Sequence, residues 1–192
     1  MPTKKAPQEL AEELPRPPLP MFTERDAVEA YERWGANCGP AALACMTRMP
    51  LEQTRLYLVG FDAKRYTNPT MMFDALRSIG VRWSSRPGPG WPQYGLARIQ
   101  WEGPWCDPGV PLRARYRYTH WVGSALSRGS RGIFDVNCLN NGTGWVELAE
   151  WERVMVPALA ANYRRATGKY HVTHAIELRP RFTAADTEEP RR

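Results

Sequence analysis

Histidine is scarce in this chain: three occur in 192 residues, alongside four cysteines. No C-x-x-C pair is present, and Cys38, Cys45, Cys106 and Cys138 are widely scattered. Such spacing speaks against a structural zinc site, and the number is low for a disulfide scaffold. No metal or other cofactor is expected. Long apolar runs are missing too: none approaches the roughly 18–20 residues needed to span a bilayer. The first twenty residues hold two lysines but no apolar h-region, so they do not read as a secretory signal. A cytoplasmic location, no membrane association and reduced thiols are the expectation.

Lysine is sparse where arginine is not. Residues 21–179 carry eighteen arginines against only Lys64 and Lys169, while the flanks 1–20 and 180–192 are each balanced. The formal net charge of +6 therefore belongs to the body of the chain. This bias suits a phosphate, carboxylate or nucleic-acid partner, and a GC-rich genome yields the same bias. Eight tryptophans argue for a folded body, and the length suits one domain with a full core.

Six prolines among residues 1–20 predict a disordered arm, and residues 180–192 a disordered tail. Between them, 21–179 reads as one domain. Thr23 can cap a helix running to Trp34, with Ala27, Ala30, Tyr31 and Trp34 on its inner side. Further helices are expected from Cys38, over 51–59, and over 68–80 with Asn68 as cap, Pro69 at the first position and Gly80 as terminator. The second half changes period: VRWSS, LARIQWE, RARYRYTHWVGSAL, RGIFDVN and YHVTHAIELRP read as strands separated by turns such as RPGPGWP and NNGTG. One helix over 148–165 interrupts them, with Trp151, Val154, Met155 and Leu159 inside. Helices first and strands later, without βαβ alternation, make an α+β pattern.

The stretch WGANCGPAALACMT places Cys38 before Gly-Pro at a helix start. Pro40 costs nothing at the first helical position, and a thiol at that mouth faces the positive end of the helix dipole, which favours thiolate. His120 lies on a strand, and a short turn leads to IFDVN, so the two predict a hairpin. Asp135 and Asn137 are two apart and would project from one face, either one reaching His120. Thiolate, imidazole base and a group that orients the imidazole are then all supplied. His171 and His174, three apart, face opposite sides of their strand and read as structural. In RARYRY, Arg113, Arg115 and Arg117 would line one strand face, a ladder able to grip nucleic acid or an acidic partner, or simply a charged edge.

These motifs, in this order, resemble the papain-like cysteine peptidase fold. The chain is most similar to the bacterial branch that holds the bacteriocin-processing peptidase domains of exporters. That branch has a Cys-Gly-x-Ala start, a His-aromatic-Val strand and an Asp at the spacing found between His120 and Asp135, fifteen residues. The resemblance spans roughly residues 28–160. It implies N-terminal helices, with the nucleophile at a helix start, packed on a C-terminal antiparallel sheet. It also implies Asp135, in preference to Asn137, as the orienting residue, and a peptide, isopeptide or other protein amide as substrate. Acyl transfer, deamidation or a catalytically inactive binding module are the alternatives on the same fold. Relatives of papain carry an oxyanion-donating glutamine where this chain has Glu32, which cannot donate when ionised. The Asn37 amide and the Trp34 indole are the nearby candidates to replace it. Compact size and arginine usage resemble those of single-domain proteins from phages and mobile elements.

Overall fold

Thr23 and Asp26 exchange hydrogen bonds: the Asp26 N–H donates to Thr23 Oγ1 and the Thr23 N–H donates to Asp26 Oδ2. This capping box starts α1, Glu24–Trp34, and Gly35 ends it at φ 74°, a left-handed conformation that glycine adopts without strain. The computed structural model describes residues 16–86 and 90–179. The predicted disorder over 1–15 and 180–192, and the centre of the RPGPGWP turn, lie outside the described residues. Residues 16–20 belong to the body instead of an arm. Pro18 is buried, and its carbonyl accepts from the Trp145 indole at 2.7 Å and from the Cys45 thiol at 3.5 Å.

Cys38 itself opens α2, Cys38–Thr47, so Pro40 holds the third helical position and not the first. That position still falls among the unpaired N–H groups of the first turn, so its missing donor is not needed. Gly39 is required by close packing: a Cβ there would lie 2.5 Å from Thr67 Cβ. Next come α3, Leu51–Tyr57, shorter than predicted, and α4, Phe61–Lys64. In α5, Pro69–Ile79, Asn68 Oδ1 accepts from the Met71 N–H at 2.9 Å, and Gly80 follows as terminator, as the sequence predicts.

The second half forms one antiparallel sheet of six strands: β1 (Arg82–Arg86), β2 (Tyr94–Trp101), β3 (Thr119–Ser127), β4 (Ser130–Phe134), β5 (Trp145–Glu147) and β6 (Tyr170–Arg179). Their order across the sheet is β1-β6-β2-β3-β4-β5. The architecture is α+β, with N-terminal helices and an antiparallel sheet. Tyr94, Leu96, Trp121 and Ala125 from one face join the core of α1, α2 and α5. Ala97, Ile99, Trp101 and Val122 from the other join Trp151, Val156 and Ala160. Covered on both faces, β2 is buried along its whole length. Among the described residues no helix is long and apolar enough to cross a membrane.

Three expectations fail. RARYRY is not strand: Leu112–Arg115 form a helical turn, α6, and Arg117 lies in the following turn, so Arg113, Arg115 and Arg117 make no ladder. Pro111 sets the N-terminal boundary of that turn, overriding the alternation. Tyr31 on α1 is exposed, because Ala27, Ala30 and Trp34 alone fill its buried stripe. The predicted 148–165 helix ends at Ala160 and is built from α7 (Leu148–Glu150), a π-helical stretch (Trp151–Met155) and α8 (Val156–Ala160). The wider π turn shifts the helical phase, which leaves Val154 exposed and puts Trp151, Val156 and Ala160 inside.

Candidate active site

The first half of the molecule delivers the thiol and the second half delivers everything around it. At the N-terminus of α2 the Cys38 side chain is half-buried, whereas Cys45 is wholly buried seven residues on. On β3, His120 is 7% exposed and stacks against Trp101 with ring centroids 6.4 Å apart. Strand β4 pairs with β3 only from Gly123 onward, so the edge over Thr119–Val122 is left open by that neighbour. The Trp121 N–H projects from this edge, because the bond from the Trp101 N–H to the Tyr118 carbonyl turns His120 and not Trp121 toward β2. Cys38 meets the sheet there, near enough to the His120 side chain and the Trp121 N–H for both to favour its thiolate.

Asp135 is completely buried. It does not continue the strand: β4 stops at Phe134, and Asp135 caps a 3-10 turn, Val136–Asn141. Asn137 is therefore not on the same strand face as Asp135, and it does not meet His120. Its backbone N–H and side-chain amide both donate to Asp135 Oδ1, at 3.0 and 2.8 Å. The Trp151 indole donates to Oδ2 at 2.9 Å. His120 Nε2 lies 3.0 Å from the same Oδ2, an ion-pair contact and not a straight hydrogen bond. With Nε2 turned to Asp135, Nδ1 is the ring nitrogen left for the thiol. The order is Asn137 and Trp151, then Asp135, then His120, then Cys38.

The electrostatics follow from that order. Burial works against the imidazolium, but the Asp135 carboxylate and the Cys38 thiolate outweigh it and raise the His120 pKa well above its ordinary value. Burial also opposes ionised Asp135, yet His120, the Asn137 N–H and the Trp151 indole hold it below the usual carboxylate range. At Cys38 desolvation is overcome by the hydrogen bond and charge of His120 and by the Trp121 N–H, so the thiol is more acidic than normal. Cys45 and Cys138 go the other way: burial pushes both up, Cys138 to about 12. Cys38 is accordingly expected to be the first of the four thiols alkylated by iodoacetamide at neutral pH in the native protein. Peptide mass analysis after brief labelling checks this, and prior labelling of Cys106 would contradict it.

Neither sequence candidate for the oxyanion is placed for that role. The Asn37 amide donates to the Ala27 carbonyl at 2.9 Å, tying α1 to the mouth of α2. Trp34 packs edge-on against Phe61, with Arg33 and Arg55 over its ring. Glu32 is exposed. His171 pairs with Glu102 and His174 with Thr173, each outside the Cys38 site. Two further residues near the site, Trp151 and Arg98, lie in no catalytic motif of the sequence. Trp151 reads as a core residue, and its polar indole N–H was the signal. Arg98, within the predicted strand LARIQWE, is buried on β2 opposite Trp121 of β3. Two surface clefts, one lined by Arg77, Trp83 and Arg179 and the other by Phe22, Leu139 and Gly142, do not include Cys38. Compared with known protein families, curated proteins and solved structures, the chain matched none.

Proposed function

We propose that this protein is a cysteine-dependent acyl hydrolase of papain-like fold, acting on protein or peptide amides through Cys38, His120 and Asp135. The observation that carries the reading is the buried carboxylate at 3.0 Å from His120 Nε2, itself held by the Asn137 and Trp151 donors. A structural histidine needs one hydrogen-bond partner; this one has a fixed anion on one side and a thiol on the other. The fold class, the thiol at a helix start and the His-on-strand arrangement all agree with the papain-like resemblance.

In the proposed reaction Cys38 Sγ attacks the acyl carbon, and the carbonyl π electrons move to oxygen. The unpaired N–H groups of the first turn of α2, Cys38 among them, face the developing oxyanion. His120 gives its proton to the leaving nitrogen as the C–N bond breaks, leaving a thioester. Water then adds to the thioester carbon as His120 takes its proton, and collapse expels the Cys38 thiolate with the acid as product. Asp135 stays ionised throughout and stabilises the imidazolium.

An activated ester tests the thioester step without knowledge of the natural substrate. Mixing the protein with p-nitrophenyl acetate is expected to release a burst of nitrophenolate equal to one per chain, with one acetyl group recovered on Cys38 by mass analysis. Cys38→Ser should abolish the burst. A burst that survives this substitution, or acetylation elsewhere, would overturn the assignment.

A further inference from the structure

Arg98 sits in the middle of β2, a residue only 6% exposed, and its Nε has no hydrogen-bond partner. Nη2 donates to Thr119 Oγ1 at 3.2 Å, and the guanidinium lies over the Tyr116 ring, 5.4 Å from its centroid. Among the described residues no carboxylate pairs with it. Its cross-strand neighbour on β6 is His174, whose pKa burial and Arg98 itself both lower, so no anion is supplied from there. Burying a cation without a counter-charge is costly, and a hydroxyl and an aromatic face compensate only part of it. Arg98 is therefore a site that lacks its partner.

The register says where that partner would be. Arg98 is opposite Trp121, and its Nη2 is bonded to Thr119, the residue that precedes His120 on β3. Pairs alternate along the β2–β3 ladder, and 98–121 is of the close, non-hydrogen-bonded kind, with Cα atoms roughly 4.5 Å apart. The arginine thus shares the neighbourhood of the nucleophile, and the Cys38 charge is felt at Arg98. With Cys38 as thiolate, its charge and that of Asp135 match those of the His120 imidazolium and Arg98 in number, although Asp135 is paired with His120 and not with Arg98. Acylation of Cys38 would remove the thiolate charge and leave the Arg98 charge without that counterweight.

We propose that Arg98 binds a carboxylate next to the scissile carbonyl, so that the preferred substrate is a peptide with an acidic side chain or chain-terminal carboxylate at that place. This rests on the thiol reading above and deepens it. The guanidinium's planar fork, with Nε–H unused, offers two parallel donors to such a group.

Iodoacetate and iodoacetamide make the test, because both alkylate Cys38 but only the first carries a carboxylate on the reacting carbon. The ratio of their rates at Cys38, read by peptide mass, cancels the thiolate fraction of each variant. Arg98→Met fills the same volume without charge, and it is expected to lower the iodoacetate-to-iodoacetamide ratio by about tenfold or more, the range of a charge-assisted hydrogen bond. Arg98→Lys should fall between, since a point charge lacks the fork. A ratio in Arg98→Met within about twofold of the native protein overturns the proposal. Should Arg98→Met not fold, a native ratio in Arg98→Lys does the same. Failure of the thiol reading shows separately, as native Cys38 reacting with iodoacetamide no faster than glutathione.

Discussion

Asp135→Ala is expected to cost about 3–5 kcal/mol of folding stability, the range for breaking a buried charge pair by deleting one partner. The carboxylate is fully buried, and its loss orphans the Trp151 indole, the Asn137 amide and N–H, and the His120 imidazolium at once. The Asp135→Asn variant, of equal size, separates charge from packing. Asp135 is held below its ordinary pKa, so its contribution is present above about pH 4 and fades as pH falls through the depressed folded value. His120 is raised, so its contribution is full below about pH 6.5 and is lost as pH climbs through the raised folded value. The stability gap between native protein and Asp135→Asn should therefore be widest between those limits and shrink on both sides. Urea unfolding at a series of pH values measures it. A gap of constant size from pH 4 to 9 would mean that Asp135 and His120 are not an ion pair.

Removing the base should act as strongly on reactivity as removing the carboxylate does on stability. In His120→Ala the Cys38 thiol loses its hydrogen bond and its cation, while the desolvation that opposes ionisation stays. An ordinary thiol is almost wholly protonated at pH 6, so a Cys38 without His120 is expected to lose thiolate there by a factor of about 10 or more. Alkylation of Cys38 by iodoacetamide is expected to slow by that factor, and the native plateau at low pH to be replaced by a single rise at alkaline pH. His171→Ala, which disturbs only the surface contact with Glu102, should follow the native profile. Equal slowing in both variants would point to general loss of structure.

How far the sequence carried the reading depended on whether a feature was local. Capping boxes and terminating glycines are written in adjacent residues, and α1 and α5 appear with the caps expected of Thr23 and Asn68. Cys38, His120 and Asp135 were legible as a set because each lies in a short motif. The role of Asn137 was not, because it depends on β4 ending at Phe134 and the chain turning into a 3-10 coil, which a period-two pattern does not reveal. Arg98 escaped for a longer-range reason. Alternation assigns one strand face to water, and that holds only if nothing covers it; here α2 lies on one face and the Trp151–Ala160 helix on the other. RARYRY failed in the opposite direction, its alternation being real and Pro111 deciding the local geometry.

The open edge of β3 over Thr119–Val122 has a kinetic meaning as well. Helix α2 closes its hydrogen bonds between near neighbours and needs nothing from the sheet to exist. His120 and Asp135 come together only after β2, β3 and β4 have paired, and Cys38 meets them only when that finished sheet docks on the helix. Contacts of such wide sequence separation form late, once their loop-closure entropy has been met. A nascent or partly folded chain thus carries Cys38 as an ordinary thiol. Its lowered pKa depends on His120 and Trp121, far along the chain, and so exists only once those long-range contacts have formed.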